Sequence, residues 1–339
     1  MRMYRAGVDL TTVADDEVVF HEGVEVRRYD GLAPDTVYEL EGREVRTLPR
    51  LGERLATVCT VNDVHFGEVD CGVLDGFDSG PVYQAAEGDE PYPTLMNRCA
   101  VADISAVAPD AVVVKGDLTT HGTRDEYQQF LDMYEPAFGD RLHHVRGNHD
   151  AYAGDDFAAE APFAVELDGV TLAVVDTALP RQASGAVSAD AVAWLDQLGA
   201  DSDRPVLVFG HHHPWNPDSG ARPEGYFGMS PASSEHLVDV FARRPRLVGY
   251  FAGHTHRNRV RHFSATGAVP WVEVAAVKDF PGAWAEYRIY DGGIVQVFRR
   301  ISAPEALTWT EKTRDMYAGL YESYAFGTLP DRCFVVTPT

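Results

Sequence analysis

Six short apolar runs alternate with amphipathic stretches through the middle of the chain. Most of these runs are rich in β-branched residues and end in glycine or a polar turn, which is typical of buried strands in an α/β sheet. The pattern therefore predicts an α/β fold. The runs cover residues 56–61, 111–116, 141–147, 170–177, 205–210 and 246–253.

The amphipathic stretches between the runs predict helices. One begins with Thr123 and Glu126 in capping-box spacing, and another has Ser188 as its cap and a glycine stop. A third helical stretch ends at Pro245, and a fourth covers residues 94–109. Strand patterns return after the last apolar run, so strands and helices together account for most of the chain.

The two ends of the chain differ from this middle part. Residues 1–55 contain short alternating runs separated by Gly, Asp and Pro turns, which predict a small β-rich appendage. We expect the main domain to cover residues 56–302. Residues 303–339 mix a helical stretch with irregular sequence, and we expect this tail to pack on the domain or to form the interface of a homodimer.

The charge of the chain indicates which kinds of molecule it can bind. The 339 residues carry a net charge of −23, which repels nucleic acids and anionic membranes, so we expect neither as a partner. An anionic substrate would need local positive charge, for which metal ions are the obvious source. There is no apolar run of about 18–20 residues and no secretory signal pattern, so we expect a cytoplasmic protein with reduced cysteines.

Two long polar connections, at about residues 67–93 and 214–231, begin beside histidine-containing motifs. Loops longer than about 12–15 residues without secondary structure are often functional, so both are candidate walls of an active site. The alternative is a surface insertion. In the second loop, Trp215, Tyr226 and Phe227 would either stack on a nucleobase or pack against the first loop.

Residues of the metal-binding type follow five of the apolar runs. The carboxyl ends of strands form the ligand-binding edge of an open α/β sheet, so side chains that follow several strands can converge there. Five such groups in succession are hard to assign to chance. They comprise Asp63, His65, Asp117, Asn148, His149, Asp150, the histidines at 211–213, His254 and His256.

In order and spacing these residues resemble the calcineurin-like metallophosphoesterases, whose pattern is D-x-H, G-D, G-N-H-D/E, H and G-H-x-H. The resemblance covers about residues 56–300, and every motif is present. It implies a four-layer α/β/β/α sandwich, here with the small N-terminal β appendage.

The resemblance also implies a site for two divalent or mixed-valence metal ions. Donors of this kind accept manganese, iron, zinc or cobalt, so the sequence does not identify the metal. The fourth motif usually reads H-x-P, which selects His212 among three consecutive histidines and leaves His211 and His213 as alternatives. The implied ligands are Asp63, His65 and His256 for one ion, Asn148, His212 and His254 for the other, and Asp117 as the bridge.

The chemistry implied is the hydrolysis of a phosphate ester. A water shared by the ions would lose a proton near neutral pH, and the bridging hydroxide would attack phosphorus in line. His149 would donate a proton to the leaving oxygen or contact the transition state, with Asp150 orienting it, and a structural role is the alternative. Arg146 would contact the anion or form a salt bridge.

Within the family, the sequence resembles bacterial phosphodiesterases of cyclic nucleotides and glycerophosphodiesters. Thr120 stands where purple acid phosphatases carry a tyrosine, which argues against that branch. We therefore expect a phosphodiesterase that acts on a small phosphate ester. The alternatives are a phosphomonoesterase or nucleotidase of the same fold and a non-catalytic scaffold, although no ligand position is lost.

Overall fold

A computed structural model of the protein describes residues 7–73, 80–154 and 156–336. All six apolar runs of the sequence form strands. The strands are β1 (Asp9–Val13), β2 (Glu17–Glu22), β3 (Glu25–Asp30), β4 (Val37–Leu40), β5 (Arg43–Arg46), β6 (Arg54–Val61), β7 (Ala111–Lys115), β8 (Leu142–Val145), β9 (Phe163–Leu167), β10 (Val170–Val174), β11 (Val206–Phe209), β12 (Leu247–Ala252), β13 (Arg259–Arg261), β14 (Trp271–Glu273), β15 (Ala283–Tyr290), β16 (Gly293–Arg300) and β17 (Phe334–Val336). The α-helices are α1 (Tyr92–Val107), α2 (Arg124–Phe138), α3 (Ala189–Asp201), α4 (Pro231–Arg243), α5 (Pro304–Thr313), α6 (Met316–Gly319), α7 (Tyr321–Phe326) and α8 (Leu329–Arg332), and short 3-10 helices cover Gly139–Arg141 and His149–Ala151.

Most of the strands belong to two mixed sheets of six strands each. The first has the order β17-β16-β15-β6-β7-β8, in which β6, β7 and β8 are parallel. The second has the order β13-β14-β12-β11-β10-β9, in which β10, β11, β12 and β14 are parallel. Parallel neighbours end at the same edge of their sheet, so the loops that follow them lie side by side.

The packing of the sheets explains why their strands are apolar at consecutive positions. Val58 and Val113 of the first sheet share a core with Leu207 and Phe209 of the second. Because neighbouring residues of a strand face opposite sides, Cys59 packs instead in a core formed with α1, α2 and α5. A third core lies between the second sheet and helices α3 and α4. The layers are therefore helix, sheet, sheet and helix.

The helix boundaries agree with most of the sequence signals. Thr123 and Glu126 form the predicted capping box, and Ser188 accepts a hydrogen bond from the backbone N–H of Ala191. The predicted glycine stop is wrong, because α3 continues through Gly199 to Asp201. A Cβ atom at Gly199 would lie 3.0 Å from Cβ of Arg244, so this glycine permits close packing of the helix and does not end it.

The N-terminal residues form a three-stranded sheet, β1-β2-β3, and the hairpin β4-β5. Phe20 of this part packs with Phe298 of β16. The guanidinium of Arg288 binds the carboxylates of Asp15 and Asp16, and that of Arg299 binds Glu17. The appendage is therefore joined to the first sheet by an apolar core and by partly buried ion pairs. The predicted fold class, a four-layer sandwich with an N-terminal β appendage, is confirmed.

The described part of the C-terminal tail packs against the domain. Strand β17 pairs antiparallel with β16 and so extends the first sheet. Between α5 and α7 the chain bends at Tyr317 and Ala318, which have left-handed backbone angles (φ 54° and 57°). All four cysteines are buried and free. Among the described residues, every helix is too short or too polar to cross a lipid bilayer.

Candidate metal centre

The loops that follow β6, β7, β8, β11 and β12 bring the predicted ligands to one point between the two sheets. Ligand atoms of Asp63, Asp117 and His211 all lie within 4.8 Å of one another. The same separation holds within two flanking groups, and Asp117 forms a further group with His65 and His149. The flanking groups are Asp63, His65 and His256 on one side, and His211, His212 and His254 on the other.

Several of the predicted ligands have left-handed backbone conformations, which non-glycine residues rarely adopt. Such conformations cost of order 1–3 kcal/mol each and persist only where the surrounding structure enforces them, commonly at functional sites. Here the enforcing contacts include the hydrogen bond from the backbone N–H of His254 to the carboxylate of Asp63. The φ angles are 55° at Asp63, 47° at His65, 51° at Asp117, 68° at His254 and 55° at His256.

Glycines of the motifs make room for these side chains. A Cβ atom at Gly116 would lie 2.5 Å from Nδ1 of His211, and one at Gly147 would collide with the carboxylate of Asp117. These two glycines are therefore required by the close approach of a donor side chain, and Gly116 is required also by its left-handed backbone conformation (φ 87°).

The first flanking group contains a histidine whose ring nitrogens are free to bind a metal ion. Within the described part of the chain, neither ring nitrogen of His65 has a hydrogen-bond partner, although the residue is buried. Burial lowers the pKa of His65 to about 4, so the ring is neutral at physiological pH. Nε2 of His256 lies 3.4 Å from Oδ1 of Asp63. A neutral imidazole with free nitrogens beside carboxylates is the arrangement that a metal ion satisfies.

The second flanking group contains two adjacent histidines whose rings are held differently. Nδ1–H of His211 donates to the carbonyl of Lys115, and its Nε2 lies 3.0 Å from Oδ1 of Asn148 and 3.2 Å from Oδ2 of Asp117. Nδ1 of His212 is hydrogen-bonded to the hydroxyl of Thr177, and its Nε2 has no partner among the described residues. The structure thus brings both histidines to the centre, and the choice of His212 as the ligand stays a prediction.

Two further histidines of these motifs, His213 and His254, have other partners as well. Nε2 of His213 lies 2.9 Å from the hydroxyl of Tyr226, so this ring points toward the 214–231 loop. Nε2–H of His254 donates to the carbonyl of Phe227 at 2.9 Å. This contact leaves Nδ1 of His254 to bind a metal ion.

Charge at the centre is balanced by protonated imidazoles. Burial raises the pKa of Asp117, but the neighbouring imidazoles of His211 and His149 outweigh it and hold the pKa well below its usual range. Burial lowers the pKa of His211, whereas the Asp117 carboxylate raises it, with a net pKa of about 9. The buried carboxylates therefore require positive charge, which metal ions would supply. The donor set fits the ions that the resemblance implies.

A cavity of about 1070 Å³ opens above these residues. Both long polar connections contribute to its walls, the first through Glu68, Val69 and Asp70 and the second through Phe227. Residues 74–79 of the first connection lie outside the described residues. Of the three aromatic residues that the sequence singled out, Phe227 lines the cavity, while Trp215 is buried and Tyr226 bonds to His213.

The calcineurin-like phosphoesterase family model matches residues 56–258, which include every predicted ligand. The chain belongs to this family. This confirms the resemblance seen in the sequence.

Curated relatives of this phosphoesterase match over part of their length. A glycerophosphodiester phosphodiesterase of Enterobacter lignolyticus is 33% identical over 165 residues, which are 44% of this chain and 56% of that protein. A cAMP/cGMP dual specificity phosphodiesterase of Mycobacterium tuberculosis is 28% identical over 144 residues, 39% of this chain and 44% of that protein. The chain thus spans about half the length of these relatives.

Solved structures support the fold. A dimetal phosphatase from Danio rerio superposes with a TM-score of 0.56 at 14% identity, and the match covers 85% of this chain and all of that chain (100%).

In the phosphoesterase, two hydrogen bonds hold His149 at the cavity, one from its backbone N–H and one from its ring. The N–H of His149 donates to Oδ1 of Asp117, and Nδ1–H donates to the carbonyl of Thr120 at 2.8 Å. Asp150 was expected to orient this ring, and the structure corrects that expectation. Its carboxylate accepts instead from the backbone N–H groups of Leu118, Thr119 and Gly147.

Asp150 therefore joins the loops that carry Asp117 and His149. Burial, and next the charge of Asp117, raise the pKa of Asp150 to about 6. Arg146, for which two roles were open, forms a salt bridge with Asp176 at 2.8 Å.

Sequence reasoning missed a second layer of residues behind the predicted metal ligands. Oδ2 of Asp279 lies 3.2 Å from Nδ1 of His256, and the hydroxyl of Tyr321 donates to Oδ1 of Asp279. Beside them the ammonium of Lys278 pairs with Glu68. A signal was present, because Lys278 and Asp279 directly follow an apolar run, as the predicted ligands do.

Proposed function

We propose that this protein is a phosphodiesterase that hydrolyses small phosphodiesters at a centre of two metal ions. The observation that carries the proposal is the position of Asp63 and Asp117, which lie between two groups of imidazoles and belong to clusters with both. A donor set divided in this way suits two neighbouring cations, because shared and terminal carboxylates offset their mutual repulsion.

Asp63, His65 and His256 would hold one ion, and Asn148, His254 and His212 the other, with Asp117 shared between them. When bound, the ions would ionise a water to serve as the nucleophile and would neutralise the phosphoryl oxygens. This mixture of imidazole, amide and carboxylate donors accepts manganese, iron, zinc or cobalt.

His149 is suited to proton transfer at the ester oxygen. A carbonyl only accepts hydrogen bonds, so the contact with Thr120 fixes the hydrogen on Nδ1 of His149. Nε2 is then the ring nitrogen left for a bound ester; in the imidazolium form of the ring it would carry the second proton and give that proton to the leaving oxygen, and the residue lines the cavity. The backbone bond from His149 to Asp117 keeps this group beside the centre.

The charge of the cavity favours diesters over monoesters. Lys278 is the one Lys or Arg side chain among the described residues that line the cavity, and it is paired with Glu68. A diester carries a single negative charge near pH 7, whereas a monoester carries close to two and would need more compensation. The names of the relatives agree, since both proteins quoted above are phosphodiesterases. A phosphomonoesterase is the alternative.

A cytoplasmic location and a homodimer stay predictions.

The proposal is tested with the purified protein, stripped with a chelator and reloaded with Mn²⁺, Zn²⁺ or Co²⁺. We expect hydrolysis of bis-p-nitrophenyl phosphate to disappear on chelation and to return with at least one of the metals, and to exceed hydrolysis of p-nitrophenyl phosphate. Full activity after exhaustive chelation would refute metal dependence. A strong preference for the monoester would favour the alternative.

A further inference from the structure

One wall of the cavity is apolar, and two of its three residues come from the C-terminal tail, outside the segment that the family model matches. Leu320 and Tyr324 line the cavity with 70% and 42% of their surface exposed, and Phe227, exposed by 53%, lines it from the 214–231 loop. Isolated exposed apolar residues are common on proteins, but a group of them inside one concave site indicates a binding surface.

This wall is fixed relative to the metal centre. Buried Tyr321 lies between Leu320 and Tyr324 and donates its hydroxyl to Asp279, which contacts His256. The N–H of Asn258, two residues after His256, donates to the carbonyl of Ala325 in the same segment. The wall is therefore held at a set distance from the centre and needs no large ordering to meet a ligand.

The second aromatic element of the wall covers a predicted ligand. The ring of Phe227 stacks on that of His254, with centroids 4.0 Å apart and an angle of 26° between the planes. The Phe227 carbonyl also accepts from Nε2 of the same histidine. An ester group that extends from a phosphorus atom at the centre would meet this ring.

The charges near the wall disfavour a second anionic group on the ligand. Glu68, Asp70 and Asp279 line the cavity. The guanidinium of Arg257 lies 5.0 Å from the ring centroid of Tyr324, but it is paired with Glu273. A carboxylate or second phosphate on the ester group would therefore meet acidic residues and cations that already have partners.

We propose that Leu320, Tyr324 and Phe227 bind the ester group of the substrate and select phosphodiesters whose ester group is uncharged and apolar, with an aromatic ring preferred. The inference rests on the proposed function, because it requires the phosphoryl group to bind at the metal centre. Aromatic side chains supply a stacking surface for a ring, and Leu320 supplies apolar contact area.

The metal-loaded enzyme is compared on three diesters with the same p-nitrophenolate leaving group: phenyl, methyl and 2-carboxyethyl p-nitrophenyl phosphate. We expect kcat/KM for the phenyl ester to exceed that for the methyl ester by about tenfold or more, and the carboxyethyl ester to be the poorest. Leu320→Ser and Tyr324→Ser should each reduce the phenyl-to-methyl ratio by about threefold or more. A wild-type ratio near one, or a ratio unchanged in both variants, would overturn the inference.

Two control variants show whether a fall in the phenyl-to-methyl ratio is caused by the loss of apolar contact at the wall. Tyr324→Phe keeps the ring and should keep the ratio. Val37→Ser replaces a residue with 49% exposure on β4, which does not line the cavity, and should also keep it. A ratio that falls equally in Val37→Ser would contradict the inference.

A binding measurement separates this inference from the proposed function. Calorimetry on the metal-loaded protein compares phenylphosphonate with methylphosphonate, neither of which needs to be hydrolysed. If none of the diesters is turned over, the proposed function fails. Tighter binding of phenylphosphonate by about tenfold would still support the binding of an aromatic group by Leu320, Tyr324 and Phe227. Equal affinity for the two phosphonates would overturn it.

Discussion

Oδ2 of the buried Asp279 carboxylate lies 3.2 Å from Nδ1 of His256, the second histidine of the G-H-x-H motif. The contact fixes the orientation of the ring and leaves Nε2 facing Asp63. A carboxylate behind a metal-binding histidine makes the ring a better ligand. Asp279 thus extends the site beyond the residues that the family motif contains.

The carboxylate of Asp279 should contribute to metal affinity. Asp279→Asn should weaken the affinity for the ion proposed to bind at Asp63, His65 and His256 by about 10-fold to 100-fold, because loss of such a partner typically has this effect. Titration of the metal-free protein in metal buffers measures it. Tyr321→Phe, which removes only the hydroxyl that donates to Asp279, should have a smaller effect. Wild-type affinity in Asp279→Asn would show that the contact plays no part in metal binding.

The adjacent histidines should differ in their effect on metal content. Nε2 of His212 has no partner among the described residues, whereas Nε2 of His211 already faces Asn148 and Asp117. We therefore expect His212→Ala to bind one ion where the wild type binds two, and His211→Ala to keep two ions with reduced affinity. Elemental analysis of both variants after dialysis decides the question. The opposite pattern would make His211 the ligand.

Removing the shared carboxylate should abolish catalysis without unfolding the protein. Asp117→Asn keeps the size of the side chain but removes its charge, and we expect kcat to fall by about a thousandfold or more, as for loss of a central electrostatic group. Asp201→Asn, at the exposed end of α3, is the matched control and should retain activity. Circular dichroism verifies folding. Activity within about tenfold of the wild type in a folded Asp117→Asn protein would contradict the assigned role.

Metal uptake should release protons. Burial lowers the pKa of His256, but the carboxylates of Asp63 and Asp279 outweigh burial and raise it to about 10, so the metal-free protein holds this proton at pH 8. The stability that this imidazolium adds to the metal-free protein is fully present below the unfolded pKa of about 6.5 and is lost as the pH rises through about 10.

A metal ion can bind this ring only after the proton leaves, so affinity should fall as the pH is lowered. Calorimetric titrations at pH 8 in buffers of different ionisation enthalpy count the protons released. We expect about one from His256 for each ion bound at its group. Binding heats independent of the buffer would refute this prediction.

The sequence predicted the fold well because the physical cause of the pattern is local. Strands such as β7 and β11 are each buried between the other sheet and a layer of helices, so β11 is apolar at every position and β7 at every position before its last residue, Lys115. The polar residue that follows each strand then marks the edge where ligands meet. The capping box at Thr123 and Glu126 was likewise readable, because its residues are three positions apart.

Features that depend on tertiary packing were not readable. Glycine commonly ends a helix, so the sequence predicts that α3 ends at Gly199. The helix continues instead, because Arg244 and Leu247 pack against Gly199. Asp150 follows His149 directly, yet its carboxylate binds the backbone of other loops. The bend at Tyr317 and Ala318, which precedes Leu320 in the chain, involves residues with no special preference for left-handed angles. Which of His211 and His212 binds metal depends on side-chain rotation, which spacing does not determine.

The proposed function requires side chains from five loops to seat two neighbouring cations. The most direct test is anomalous diffraction from crystals of the Mn²⁺-loaded protein. We expect two peaks about 3.5–4 Å apart on either side of the Asp117 carboxylate. A single peak at saturating Mn²⁺, or peaks remote from Asp63 and Asp117, would contradict it.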